Sequence, residues 1–191
     1  MATYTVFESV NMGSTHYAER IFDAIAETDI ENGTFGYLDG LADGEDVVYN
    51  FKAGTKSGLV AGDIVVVDQP VWTEDDSRRV NQRKDKFVIE AGTRFRVRVV
   101  KKNDEFGITA EGFTSSSQSI VVDETDFVEN VVYATIDATT GKLVASKTAT
   151  ADAIMEAQIM RKRVAGGKLV TVSHDYGYAR NIYEAKIISL A

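Results

Sequence analysis

Between Gly92 and Phe113 the chain reads GTRFRVRVVKKNDEFGITAEGF, and its first part alternates without a break: Phe95, Val97 and Val99 on one side, Arg94, Arg96 and Arg98 on the other. Such alternation suits an extended strand with one face in a core, because successive side chains of a strand point to opposite faces. The pattern predicts a hairpin, with Val100 opposite Glu105 around a loop of residues 101–104. In that register Phe95 faces Ala110, Val97 faces Ile108, Val99 faces Phe106, and Arg94 meets Glu111. A slip of one residue would set Phe95 against Glu111, which a core does not accept.

A second strand signal is SGLVAGDIVVVDQPVW, residues 57–72, where a glycine-rich turn leads into Ile64, Val65, Val66 and Val67 and the run stops at Pro70. A continuous apolar run bounded by turn residues reads as a buried strand. Asn32-Gly33, Asp39-Gly40 and Asp43-Gly44 predict a β-meander over residues 28–54. Residues 130–150, NVVYATIDATTGKLVASKTAT, predict another hairpin with Gly141 at a positive φ in its loop; both of its faces carry apolar residues. A strand-like arm bearing Tyr4, Val6, Phe7 and Val10 precedes these segments, and strands over residues 168–173 and 181–190 finish the chain.

Two stretches carry helical spacing. Over residues 14–28, Ser14 serves as N-cap and Tyr17, Ile21, Ala24 and Ile25 share a face. Over residues 151–164, Thr150 caps, Asp152 favours the positive end, and Arg161, Lys162 and Arg163 the negative end, with Gly166-Gly167 as terminator and Ile154, Ala157, Met160 and Val164 as the buried stripe. The sum is an α+β, mostly β chain: an antiparallel barrel or sandwich with two short helices. The polar run of residues 114–119 separates a β-rich region, residues 1–113, from a hairpin-helix-strand region, residues 120–191. A loop within one domain fits that run as well as a linker.

Composition narrows the functions. There is no cysteine, so disulfides, thiolate catalysis and cysteine-held metals are excluded. Acidic residues outnumber basic ones 29 to 21, a net charge of -8 that disfavours nucleic acid as a partner. No apolar run is long enough to span a bilayer and the first residues, MATYTVFESV, lack signal-peptide character, so neither membrane partner nor export is expected.

Catalytic chemistry finds little support. Ser173, His174 and Asp175 are consecutive and cannot form one hydrogen-bonded relay in an extended segment; His16 reads as a solvated helix residue. The acidic loop of Asp39, Asp43, Glu45 and Asp46 lacks the alternating ligand spacing of a calcium loop. Gly166-Gly167 has no phosphate-loop lysine behind it. The expectation is a non-enzyme with no catalytic, cofactor-binding or metal-binding residue and no cofactor. The charged loop of residues 73–86, next to Trp72, reads equally as a docking surface or a solvated excursion. Trp72, Tyr176, Tyr178 and Tyr183 could stack on sugar rings, which makes a carbohydrate-binding or adhesive β-module without catalysis the alternative function.

Two blocks carry a family resemblance: ENG leading to YLDGL (Glu31 to Gly33, Tyr37 to Leu41), and a block with Phe87, Glu90 to Gly92, Arg94 and DEFGIT (Asp104 to Thr109). Over residues 28–113 the chain resembles the capsid decoration, cement and head proteins of tailed bacteriophages. The resemblance implies a virion structural protein, made in the host cytoplasm, that binds the outer surface of the capsid, contacts the major capsid protein and works as a homo-oligomer. The charged residues 73–86 and the C-terminal region have no counterpart in that group. The arm with Tyr4, Val6, Phe7 and Val10 is the expected contact, by adding a strand to a partner's edge.

Overall fold

The computed structural model describes residues 3–15, 20–71, 84–165 and 180–191. Eleven strands are described: β1 (Phe7–Asn11), β2 (Ile21–Ile25), β3 (Phe35–Leu41), β4 (Val48–Ala53), β5 (Ile64–Val67), β6 (Arg94–Val99), β7 (Glu105–Thr109), β8 (Val132–Ile136), β9 (Leu143–Ser146), β10 (Met155–Ala165) and β11 (Arg180–Leu190). One short helix, α1 (Gln118–Val122), accompanies them. The chain is mostly β, as the sequence patterns predict. Strands β2, β4, β3, β5 and β6 close a barrel in that order, and β1, β7, β11, β10, β8 and β9 form a six-stranded sheet. All neighbours are antiparallel except β2 and β4.

The IVVV run now has a physical explanation. Val65 and Val67 point into the barrel with Ala24, Phe51, Phe95 and Val97, while Ile64 and Val66 point outward into a second core with Phe35, Phe106, Ile108 and Tyr183. All four are buried because β5 is barrel wall on one face and floor for the six-stranded sheet on the other. A strand covered on both faces has no use for alternation.

The alternation of β6 is realised, since Phe95, Val97 and Val99 are buried, but the hairpin built on it is not. β6 pairs with β2 and β5, β7 pairs with β1 and β11, and Arg94 meets Glu45 in place of Glu111. The intervening turn explains the divergence. Asp104 accepts the amides of Lys101 (2.8 Å) and Gly13 (2.9 Å), and the Asn103 amide donates to the Ile187 carbonyl at 2.9 Å. The exit of the loop is thereby captured by β11, and Phe106 and Ile108 enter the second core instead of facing β6.

Both expected helices are corrected to strands where the structure describes them. In β2 and the residue that follows it, the period-two set Phe22, Ala24 and Ala26 packs into the barrel. Backbone bonding to β4 on one side and β6 on the other outweighs a weak helical pattern. In β10, Met155, Ala157 and Ile159 are buried at strand spacing. Met160, expected on the buried stripe of a helix, is exposed on the other face, and a bulge between Ile159 and Arg161 shifts the phase of the strand there. Gly166-Gly167 and the strand expected over residues 168–173 lie outside the described residues.

The second hairpin, β8 with β9, forms as expected with Gly141 at φ 68°. Its inner face is Val132, Ala134, Leu143 and Ala145. The strand expected over residues 181–190 is β11. Asn32-Gly33 makes a turn, with Gly33 at φ 78°, but the strands it joins are not partners: Ile30 bridges to Ile89 and Phe35 pairs with Val66. Residues 114–119 hold the start of α1, and the six-stranded sheet takes β1 and β7 from one side of that stretch and β8 to β11 from the other.

Barrel and sheet are joined by the β8–β9 turn. The Phe35 amide donates to the Gly141 carbonyl at 2.9 Å, the Gly54 amide to the Phe35 carbonyl at 2.9 Å, and the Thr55 amide to the Ala138 carbonyl at 3.1 Å. A Cβ on Gly141 would overlap the Phe35 carbonyl oxygen, and one on Gly54 would overlap the Ala138 carbonyl. Two glycines are therefore needed for the backbones to meet. Asp137 shapes the turn by accepting the amides of Thr139 and Thr140 and the Thr140 hydroxyl.

Candidate functional site

The blocks that carry the family resemblance fall into two physical groups. The first is architectural. Glu31 accepts the Thr5 amide at 2.8 Å and its hydroxyl at 2.7 Å, and pairs with Lys142 at 3.3 Å. Asn32 exchanges two hydrogen bonds with the backbone of Gln69, at 2.9 and 2.8 Å. Gly33 lies against Phe7 and Ile108. These three residues thus tie the N-terminal arm, the barrel and the β8–β9 turn together. Asp104 to Thr109 contain β7, the strand that holds the arm in the sheet.

The second group leads to the surface. Tyr37 to Leu41 run along β3 to its turn with β4. That turn is held by the Ala42 amide on the Val48 carbonyl (2.8 Å), the Glu45 amide on the Ala42 carbonyl (3.0 Å), the Asn50 side-chain amide on the Leu41 carbonyl (3.0 Å), and the Arg94–Glu45 ion pair. Ala42 and Val48 are buried, while Leu41 and Val47 beside them are 49% and 67% exposed. Two aliphatic side chains on a turn with these backbone bonds in place form a candidate contact point, since exposed apolar groups are the ones a partner can profitably cover. The sequence pattern GLADGEDVV, an apolar residue on each flank of an Asp-Gly turn, was the available signal for it.

The arm is the outermost strand of the six-stranded sheet, bonded to β7 on one side, and no strand among the described residues pairs with its other edge. Val6 and Phe7 are buried, Phe7 stacks on Phe106, and β1 is bonded to β7 along its length. Only Val10 of the apolar set is exposed. Two acids of the acidic loop are held in ion pairs: Asp39 with Lys56 at 2.8 Å, and Glu45 with Arg94. The hydrogen bond from Lys56 holds the Asp39 carboxyl below its usual range. Among the described residues no group of three or more acids or histidines converges as a metal site. Tyr183, a proposed sugar-stacking residue, is fully buried, with its ring edge-on to Phe113 and Phe127. Trp72, Tyr176, Tyr178, His16 and His174 lie outside the described residues, as do residues 73–83 of the charged loop.

On the sheet face opposite the core, charges line up across four strands. Glu8 of β1 stands opposite Gly107 of β7, which stands opposite Glu184 of β11. Arg163 of β10 bonds to both Glu184 and Glu8, Arg161 also bonds to Glu184, and Lys84 lies 3.9 Å from Glu8. Gly107 leaves the gap that the Arg163 side chain spans. Burial pushes the Glu184 carboxyl up, and the hydrogen bonds from Arg161 and Arg163 more than reverse it, leaving Glu184 below its ordinary value.

No family model, no curated protein and no solved structure matches this chain.

Proposed function

We propose that the chain is a structural protein of a tailed-phage virion, a decoration or head protein that binds the capsid surface and stabilises it. The reading rests on the two resemblance blocks, and one observation carries it furthest: part of these blocks locks barrel, arm and sheet together, and another part ends at the exposed Leu41, on the turn that also carries the exposed Val47. A stiff body with an apolar tip suits a protein whose work is surface complementarity. The partner is the major capsid protein, and a homo-oligomeric state would let modest contacts at each tip add up on a symmetric lattice. Co-sedimentation of the purified chain with assembled, undecorated heads tests the proposal: binding that saturates at a fixed ratio to capsid subunits supports it, and no co-sedimentation at any salt concentration refutes it.

A further inference from the structure

Asn32-Gly33, Asp39-Gly40 and Asp43-Gly44 share a chemical property that nothing in the fold has yet used. The amide nitrogen of the second residue can attack the side-chain carbonyl carbon of the first, and glycine allows the approach best because it has no Cβ in the way. The C–N bond that forms closes a succinimide ring. Ammonia leaves in the case of asparagine, and water in the case of aspartic acid. Water then opens the ring at either carbonyl, and opening on the main-chain side routes the backbone through Cβ as isoaspartate. The sum is amide hydrolysis for asparagine and pure isomerisation for aspartate, with water as the sole co-reactant. In an unfolded chain the asparagine reacts faster, because an ionised carboxylate resists attack.

The fold reverses this order. Attack needs an unbonded amide and a side chain free to turn onto it. Asn32 is buried with both of its side-chain polar atoms held by the Gln69 backbone, at 2.9 and 2.8 Å. The Gly33 amide is bonded to the Val67 carbonyl at 2.8 Å, and Gly33 is pressed against Phe7 and Ile108. Asp39 has its carboxylate on Lys56. Asp43 and Gly44 are both exposed. Among the described residues the Asp43 carboxylate has no hydrogen bond or ion pair and the Gly44 amide no backbone partner. No atom lies within 4 Å of the place a Cβ on Gly44 would take. We propose that Asp43 is a site of spontaneous backbone isomerisation in the folded protein, and that the fold shields Asn32, the more reactive of the two by sequence. Isoaspartate at residue 43 adds a methylene to the main chain inside the turn that the Glu45 amide closes on the Ala42 carbonyl, so Leu41 and Val47 lose their fixed spacing. Conversion of Asn32 in a chain left unfolded sets a carboxylate oxygen against the Gln69 carbonyl in place of an amide donor, and weakens the refolded protein. The chemistry at Asp43 does not depend on what the turn contacts.

Prolonged warm incubation of the full chain at neutral pH, folded and in urea, tests this without a capsid. Peptide mapping by mass spectrometry and labelling with isoaspartyl methyltransferase read the outcome. In the folded chain, isoaspartate should accumulate at residue 43 faster than at residues 32 and 39. Conversion at Asn32 should be about tenfold or more slower in the folded chain than in urea, since it waits on the opening of three hydrogen bonds. Asp43→Glu should abolish the label at that position, because the longer side chain has to close a larger ring. Asp43→Asn should convert faster there and release ammonia. The proposal is overturned by no isoaspartate at residue 43 of the folded chain, by a label at that position that persists in Asp43→Glu, or by Asn32 converting as fast folded as in urea.

Discussion

The Phe35 amide donates to the Gly141 carbonyl at 2.9 Å, while the Phe35 carbonyl accepts the Gly54 amide at the same distance. One barrel residue is thereby bonded to the turn of the sheet and to the end of the neighbouring barrel strand, and its ring is buried between them, tilted on Phe106. The connection is a property of backbone, and it depends on Gly141 and Gly54 having no side chain.

Gly141→Ala should therefore be among the most damaging single substitutions. It combines a positive φ of 68° with overlap of the Phe35 carbonyl, and the expected loss is about 3 kcal/mol or more. Gly44→Ala is the control: φ is 74° there but no atom lies within 4 Å, so only the backbone cost of about 1 kcal/mol applies. Urea unfolding of the two variants separates the clasp from the turn conformation, and equal losses would show that the clasp adds nothing.

Gly107→Ala places a methyl group 2.7 Å from Ile182 Cγ2, beneath the span of Arg163. We expect a loss of about 1–3 kcal/mol from overpacking, and a displaced Arg163. A double-mutant cycle of Gly107→Ala with Glu8→Gln would then give a coupling of about 0.5 kcal/mol or more; strict additivity would mean that the glycine gap and the ion pair are unrelated.

Stability should fall on acidification in a defined window. Hydrogen bonds from Thr140, the backbone amide first, hold the Asp137 carboxyl below its ordinary 3.8, and Glu184 lies below its ordinary 4.5. Both groups are more acidic folded than unfolded, so the unfolded chain binds protons more readily. Their contribution is complete above the unfolded values and is lost as pH falls through the folded ones. The urea midpoint should thus decline below about pH 4.5, and a protein carrying Asp137→Asn and Glu184→Gln should decline less steeply. An unchanged slope would remove these two carboxylates from the account.

Leu41→Asp with Val47→Asp tests the tip. Both residues are exposed and their backbone bonds do not need the side chains, so stability should move by no more than about 0.5 kcal/mol. Co-sedimentation with heads should be lost. Retained binding would place the contact elsewhere on the surface.

Local patterns in the sequence identified the buried run of β5, the inward set of β6, the β8–β9 turn and most of β11. These are decided by side chains a few residues apart. Partner choice was legible for β8 with β9 but not for β6 and β7. β6 and β7 are adjacent in sequence and strongly patterned, yet they belong to different sheets because Asp104 and Ile187 redirect the chain between them. β2 and β10 carry apolar residues on both faces, so a helical stripe can be drawn through each although only Ala24 and Ala157 belong to both the helical and the strand sets, and the bonding on either side decides. The arm was legible as a strand but its pairing with β7 was not, since β7 lies about a hundred residues away in the chain.

Cryo-electron microscopy of undecorated heads incubated with the purified chain addresses the central claim most directly. The account predicts added density at symmetry-related positions on the outer shell, fitted by the barrel and sheet as one body with Leu41 and Val47 turned toward the major capsid protein. A reconstruction indistinguishable from that of heads alone, with the protein in saturating excess, would contradict it.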